Sequence, residues 1–289
     1  MATLRDIQRK IGAVRKTRQI TRAMNMVAAA KLRTVQGKME SFDPYARKFA
    51  EVLGNLASRI DPEIHALLVP KEEVKKVELL HFSADRGLCG SFNMNTIAMV
   101  ERWIKEQNAK NVEYSLTLVG KKGRDYFRKR NYIITANYVN IYSSVDMPLV
   151  THMANDLVNR YLSDDVHEVY MIYTRFLGMA KQEPTLVKLI PIEPPHAEVD
   201  TEAMTEYLCE PSAEEFLVEL LPKHLNVQLY NAFLQTETSE HAARMAAMDN
   251  ATKNCSEMIE NLTLIYNKAR QAAITAELMD IVGGAEALG

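Results

Sequence analysis

Two glycine-containing segments carry the residue types that could perform nucleotide chemistry. Residues 83–90, SADRGLCG, follow a predicted buried strand, and residues 120–123, GKKG, follow a second one. Loops of this kind can cradle phosphate groups with their backbone N–H groups. Neither segment has the spacing GxGxxG or GxxxxGK[ST], and the second lacks the hydroxyl group that would hold Mg²⁺. The spacing therefore favours tight turns, and a nucleotide-dependent enzyme built on this region stays an alternative.

A cysteine and a histidine near the first segment raise the possibility of nucleophilic catalysis. Cys89 lies in the loop and His81 in the preceding strand, but a nucleophile and its base must lie within hydrogen-bond reach. The other cysteines, Cys209 and Cys255, form no CxxC pair, and no histidine stands at metal-ligand spacing. We therefore expect a packed, unreactive Cys89, a reducing compartment, no disulfide framework and no metal site.

Charge is unevenly distributed along the 289 residues, although the net charge is only −2. Residues 5–38 carry ten basic side chains against Asp6 alone, whereas residues 193–219 are mostly acidic. Such a basic run could bind nucleic acid, face water, or face an acidic protein surface, and charge alone does not choose among these. The N-terminus lacks the apolar run of a signal peptide, and no stretch is long enough to cross a bilayer.

The middle of the chain, residues 69–195, alternates predicted strands with predicted helices. This order predicts a Rossmann-like, mostly parallel sheet whose last two strands form an antiparallel hairpin. The predicted strands are 77–82, 114–119, 132–141, 168–176 and 185–192, and the predicted helices are 95–108, 121–130 and 148–162. The acidic, proline-containing stretch 194–211 is typical of a linker.

Long helical patterns occupy both ends of the chain, at 1–60 and 212–289. The C-terminal pattern places mostly apolar residues at alternating steps of three and four, which is the seam of a coiled coil. Its members are Met245, Met248, Thr252, Cys255, Ile259, Leu262, Tyr266, Ala269, Ala273 and Ala276. The N-terminal pattern begins with a Thr3 cap and continues through Leu4, Ile7, Ile11, Val14, Met24, Val27, Ala28, Leu32, Val35, Met39 and Phe42. Between Val14 and Met24 it passes through Thr17, Ile20 and Thr21 and loses its strict period.

These patterns together predict an α/β domain joined to a long antiparallel coiled coil. The two terminal helices flank one compact unit, so antiparallel pairing is the simplest arrangement, with Ile7 near Leu262. Pro44 could kink the first helix without ending it, and Pro222 could divide the last helix into two pieces.

Three stretches of sequence closely resemble the gamma subunits of F-type ATP synthases, in their bacterial form. They are ITRAMNMVAAAKLR at 20–33, SADRGLCGSFN at 83–93, and SEHAARMAAMDNATKN with YNKARQAAITAELMDIVGGA at 239–254 and 266–285. The resemblance covers both terminal helices and the central domain. It departs from many relatives at Cys209, where a bulkier residue is common.

The resemblance implies a rotating shaft that has no catalytic residue of its own. It implies contact with the beta subunit through Met24, Lys31 and Arg33 and through a second group, Arg270, Gln271 and Thr275. It implies that Tyr207, Cys209 and Glu210 lie near the c-ring and the epsilon subunit.

The partners implied by the resemblance are the alpha and beta subunits of a hexamer, the epsilon subunit and the c-ring. Nucleic acid is not among these partners, and contact with the membrane passes through the c-ring only. The implied location is the cytoplasmic side of the cell inner membrane, as a peripheral protein that couples proton-driven rotation to ATP synthesis.

Overall fold

The computed structural model describes residues 3–57, 61, 64–130, 132–142, 145–193 and 212–286, with side chains as far as residue 282. Ten elements follow one another along the chain. They are α1 (Leu4–Ala57), β1 (Lys76–Phe82), α2 (Phe92–Ala109), β2 (Glu113–Val119), α3 (Lys121–Arg128), β3 (Ile134–Tyr138), α4 (Met147–Leu162), β4 (Glu168–Phe176), β5 (Gln182–Ile190) and α5 (Ala213–Glu286).

The chain divides into two compact units. Residues 1–29 and 244–289 form one unit, called here the helical pair, and residues 30–243 form the other, called the α/β unit. Helices α1 and α5 each contribute to both units. The predicted fold class, an α/β sheet with long helices at both ends of the chain, is confirmed.

In the helical pair, α1 begins with a capping box. Thr3 Oγ1 accepts a hydrogen bond from the Asp6 backbone N–H at 3.3 Å, and the Thr3 backbone N–H donates to the Asp6 carboxylate at 3.1 Å. These two bonds satisfy N–H groups that a helix start would otherwise leave unpaired. The hydrogen bonds from Thr3 also hold the pKa of Asp6 below its usual value.

Three polar contacts show that the two helices of the pair run antiparallel. Thr21 Oγ1 lies 2.8 Å from Thr252 Oγ1, and Asn25 Nδ2 donates to the Met245 carbonyl oxygen at 2.8 Å. Arg18 Nη1 donates to Ser256 Oγ at 3.4 Å. Residue numbers rise along α1 while those of their partners fall along α5. Continuing this register places Ile7 opposite Tyr266, one helical turn from the predicted position near Leu262.

Burial in the helical pair follows most of the predicted seam. Ile7, Ile11, Ala28 and Met248 are buried, and the α5 positions from Thr252 to Ala273 in the predicted set are half-buried. Val27 was predicted in the seam but is 58% exposed. Thr21, where the predicted pattern loses its strict period, is buried, so the seam includes a polar residue at this turn of α1.

The sheet of the α/β unit has the strand order β3-β2-β1-β4-β5. Strands β1 to β4 are parallel, while β5 pairs with β4 in an antiparallel hairpin, as predicted. The central strand β1 has six consecutive buried residues, which is expected where helices cover both faces of a parallel sheet. Helices α2 and α3 pack on one face, and α4 on the other.

Helices α1 and α5 complete the second face of the α/β unit. Leucines spaced by four along α5, from Leu217 to Leu229, are buried in the same core as Leu53 of α1. Phe42 and Tyr230 meet edge to face with ring centroids 4.8 Å apart. Regular four-residue spacing puts one stripe of α5 against the sheet, which explains why this part of the helix is largely buried.

Several predicted boundaries shift in the structure. Helix α2 begins at Phe92, three residues before the prediction, and β3 covers only 134–138 of the predicted 132–141. Helix α5 is a single element through Pro222 instead of two pieces, and α1 likewise continues through Pro44. Among the described helices, none has an apolar stretch long enough to cross a membrane.

Candidate functional site

The carboxyl edge of the parallel strands is where open α/β sheets bind nucleotides. Here that edge is closed by Ser83, which follows β1. Its Oγ donates to the Val119 carbonyl oxygen at 3.0 Å and accepts from the Gly123 backbone N–H at 2.9 Å. A Cβ atom on Gly123 would lie 2.7 Å from His81 Nδ1 and 2.8 Å from Ser83 Oγ. Glycine at this position therefore permits the close approach of α3 to β1, not an approach to phosphate.

Asp85 occupies the start of helix α3. Its carboxylate accepts from the backbone N–H of Lys121 at 2.9 Å and from that of Asn140 at 3.0 Å. Helix N-termini attract anions through their free N–H groups and the helix dipole. The chain's own carboxylate takes this position, so the loop 83–90 serves as a structural clamp between β1, α3 and the segment after β3.

His81 and Cys89 do not form a catalytic pair. His81 is fully buried beside Phe127, with ring centroids 5.6 Å apart, and burial lowers its pKa to about 3. Neither of its ring nitrogens has a hydrogen-bond partner in the described parts of the chain. Cys89 is buried, as expected, and its sulfur accepts from Asn93 Nδ2 at 3.2 Å. Both residues therefore belong to the packing of the α/β unit.

A cleft of about 720 Å³ opens at the opposite edge of the sheet. Arg160 lines it and pairs with Glu78, which is fully buried and accepts from Thr117 Oγ1 at 2.6 Å. Burial raises the pKa of Glu78, while the bonds from Thr117 and Arg160 act against that rise. This cluster ties α4 to β1 and β2. Within the described residues, no group of three or more His, Cys, Asp or Glu side chains could hold a metal ion.

The residues predicted to contact a beta subunit lie on the two long helices. On α1, Met24 is half-buried, whereas Lys31 and Arg33 are exposed. Sequence reasoning missed the more exposed apolar residues beside Met24. These are Ile20, Met26 and Val27, which are 58–60% exposed on a basic stretch of helix. Only Met26 stood outside the predicted stripe, so the apolar spacing signalled one of the three.

The second predicted contact group lies near the end of α5. Arg270, Gln271 and Thr275 are all exposed. In the register of the helical pair, Leu4 stands opposite residue 269, so α5 continues for more than ten residues beyond the start of α1. Large apolar side chains on this extension are 49–68% exposed, namely Ile274, Leu278, Met279, Ile281 and Val282. Tyr207, Cys209 and Glu210, predicted near the c-ring, lie outside the described residues.

Comparison with known proteins covers the whole chain. A family model described as ATP synthase matches residues 3–288. The gamma chain of ATP synthase from Syntrophobacter fumaroxidans is 52% identical over 290 residues, covering 100% of this chain and 99% of the relative. The gamma chain from Syntrophus aciditrophicus is 49% identical with the same coverage.

Solved structures share the fold at lower sequence identity. A chain in a cryo-EM structure of the Euglena gracilis mitochondrial ATP synthase, containing OSCP, F1 and c-ring, aligns with a TM-score of 0.67 and 20% identity, over 99% of this chain and 94% of that one. A chain from the central stalk and c-ring structure of Tetrahymena thermophila mitochondrial ATP synthase aligns with a TM-score of 0.60 and 24% identity, over 80% and 99%. With full-length identity near one half to the bacterial relatives, the chain belongs to the ATP synthase gamma chain family.

Proposed function

We propose that this chain is the central-stalk rotor of an F-type ATP synthase, a subunit that carries no catalytic site of its own. The observation that carries the proposal is the end of α5, where five large apolar side chains are about half to two-thirds exposed on an unpaired helix. Apolar surface of this kind marks a site that another protein covers. A sleeve formed by alpha and beta subunits would cover it on all sides.

The mechanism follows from the asymmetry of such a shaft. A helix that presents different side chains in different directions contacts three otherwise identical sites unequally. Each contact favours one conformation of the site it touches, so rotation shifts the populations of open and closed sites in turn. ATP chemistry then takes place on beta, while this chain transmits rotation from a c-ring driven by protons.

We assign two contact regions with beta from the resemblance of these residues to the family's motifs. The first comprises Met24, Lys31 and Arg33, and the second comprises Arg270, Gln271 and Thr275. We further assign Tyr207, Cys209 and Glu210 to the side that meets the c-ring and epsilon. The complex would lie on the cytoplasmic face of the inner membrane, reaching the bilayer through the c-ring only.

Reconstitution from separate subunits tests the proposal. We expect no ATP hydrolysis by this chain alone, and rotation-coupled hydrolysis when it joins alpha and beta. Replacing Ser83 and Asp85 by Ala should leave nucleotide affinity of the assembled complex unchanged. Turnover by the isolated chain, or a loss of nucleotide binding in the Ser83 and Asp85 variants with assembly intact, would support the enzyme alternative instead.

The assignment of Met24 has its own test. If the facing loop of beta is acidic, an added positive charge would form an ion pair with it at one rotation angle. Breaking an ion pair that is shielded from water is costly, so this contact would hold the rotor at that angle. We expect Met24→Lys to assemble normally and to pump fewer protons per ATP hydrolysed in membrane vesicles. Met24→Leu is the matched control. Equal coupling in both variants would contradict the assignment.

A further inference from the structure

A dense group of basic side chains on α3 and on the two residues after it plays no part in the shaft described above. Residues 121–130 contain six basic residues against one acid, Asp125, in a chain whose net charge is −2. Five of the six are exposed and are called here the α3 basic face: Lys121, Lys122, Arg128, Lys129 and Arg130.

The acidic groups nearest to this face are already engaged. Asp125 accepts from Arg124 Nη2 at 2.7 Å, and that hydrogen bond holds the pKa of Asp125 below its usual value. Glu101 of α2 accepts from the Tyr126 hydroxyl at 2.6 Å. In the described parts of the chain, no member of the α3 basic face forms an ion pair with a carboxylate. Asp125 attracts Lys121 and Lys122 only at longer range, so within the described residues no carboxylate pairs directly with the positive charges of the face.

Arg128 lies in the last turn of α3, where positive charge is favourable, but helix stability does not account for Lys121 and Lys122. Lys121 and Lys122 open α3, and its first turn contains no acidic residue. Positive charge is unfavourable at a helix N-terminus, because the dipole there is itself positive. The cap comes from Asp85 instead, which accepts from the Lys121 backbone N–H. The two lysines thus work against the helix they begin, as expected for residues that serve an external ligand.

Packed aromatic side chains lie beneath one end of the face. The Arg130 guanidinium lies 3.7 Å from the centroid of the Tyr126 ring, and its Nη1 donates to the Tyr126 carbonyl oxygen at 3.1 Å. The neighbouring Phe127 is fully buried, with its ring centroid 5.1 Å from that of Tyr126. Arg130 is held on this packed support, so its charge loses little freedom when a partner binds, which favours association.

We propose that the α3 basic face docks an acidic polypeptide surface of another subunit in the assembled synthase. Charge complementarity identifies the partner, since an exposed cluster of one sign steers and orients a surface of the opposite sign. A small phosphate ligand fits less well, because Asp85 already fills the N-terminus of α3. This inference rests on the proposed function in one respect: the partner is sought among the other subunits of the synthase.

Lysine acylation of the free chain and of the assembled complex tests the inference. We expect Lys121, Lys122 and Lys129 to lose reactivity on assembly by about fivefold or more, as for charges covered by a partner. Lys110 and Lys181, which are also exposed, are the internal controls. Unchanged reactivity of the three lysines in the complex would overturn the inference. Protection that vanishes when lipid is removed, with all subunits retained, would also overturn it by identifying a lipid partner.

Association kinetics supply the second arm. We expect the combined variant Lys121→Gln, Arg128→Gln and Lys129→Gln to join the other subunits about tenfold more slowly at low salt, with the difference shrinking at high salt. A control with the same net charge, Lys110→Gln, Arg175→Gln and Lys181→Gln, should match the parent. Equal slowing in both variants would show a net-charge effect and overturn the inference.

The same measurements separate this inference from the proposed function. A parent chain that does not enter the complex at all would contradict the proposed function. A chain that assembles and couples normally, while its α3 lysines stay fully reactive, would contradict the α3 basic face alone.

Discussion

The helical pair and the α/β unit use their side chains in opposite ways. In the α/β unit, Leu79, Leu80 and Leu116 are completely buried, and glycine at 120 and 123 lets helix α3 sit directly on β1. In the helical pair, most seam residues of α5 are only half-buried, and its extension leaves large apolar groups in water. The core of the α/β unit is built from its own side chains, whereas the helical pair leaves large apolar side chains exposed for other chains to cover. Substitutions should therefore act on folding in the first and on assembly in the second.

The largest difference should come from the same substitution made in each unit. Gly120 has φ of +95°, and a Cβ there would lie 1.9 Å from the Ser83 carbonyl oxygen, whereas a Cβ on Gly12 of α1 meets nothing within 4 Å. We expect Gly120→Ala to destabilise the chain by roughly 3 kcal/mol or more. Gly12→Ala should instead stabilise α1 by up to about 1 kcal/mol, because alanine is the better helix former.

Urea denaturation followed by fluorescence gives the readout. Trp103, the single tryptophan, is buried in the α/β unit and reports its unfolding. Equal stability of the Gly120→Ala chain and the parent would contradict the close approach of Gly120 to the Ser83 carbonyl oxygen.

Acid should weaken the α/β unit through its buried histidines. Burial lowers the pKa of His224 to about 4, so the folded chain keeps its ring neutral while the unfolded chain takes up a proton near pH 6.5. Stability is therefore complete above pH 6.5, falls as the pH drops from 6.5 to 4, and levels off below that. The full loss should be about 3 kcal/mol. The helical pair contains no histidine and lacks this source of acid sensitivity.

Two variants isolate the contribution of His224. His224→Leu should flatten the dependence of unfolding free energy on pH between 6.5 and 4, because no proton uptake by this residue remains. Replacing the exposed His152 by Asn should leave the slope unchanged. A slope that stays the same after His224→Leu would assign the acid sensitivity to other groups, such as His81.

Sequence periodicity predicts much of this architecture because period and burial are directly linked. The alternating strands and helices of 69–195 predict the parallel sheet and its antiparallel hairpin, and the three-four spacing of α5 predicts the seam. What periodicity does not report is polar geometry. The positions of Asp85 at the start of α3 and of Ser83 against Gly123 depend on distances between segments far apart in the chain.

The seam shows the same limit at one turn of α1. Val27 fits an apolar pattern, but Thr21 is the residue that lies inside, where Thr252 supplies a hydrogen-bond partner. A pattern of apolar residues does not anticipate this polar pair, because hydrogen bonds within and between the helices, not apolar character, offset the cost of burying the two hydroxyl groups. The functional assignment came from the family resemblance. The placement of Tyr207, Cys209 and Glu210 near the c-ring and the epsilon subunit stays a prediction.

That polar pair should have a smaller effect than the glycines or the histidine. Thr21→Val or Thr252→Val alone removes the 2.8 Å contact, whereas the double variant replaces both partners by groups of the same shape. We expect the double variant to stay within about 1 kcal/mol of the parent, and the cycle to give a coupling of about 0.5–1.5 kcal/mol. Hydrogen exchange of the amides around Thr252 measures the local effect. A coupling near zero would mean that the contact contributes only packing.

The smallest effect should come from removing one basic residue of α1. Arg33 is exposed, and in the described parts of the chain it forms no ion pair. Alanine, its replacement, is favourable in a helix. Its loss should change the stability of the free chain by no more than about 0.5 kcal/mol. In the assembled complex an exposed pair with an acidic loop would contribute roughly 0–1 kcal/mol and would be screened by salt. Arg33→Ala should therefore leave proton pumping per ATP close to the parent value. A large loss that persists at high salt would mean that Arg33 makes a buried, fixed contact, and that the basic stretch of α1 is not a set of weak, exchangeable attractions.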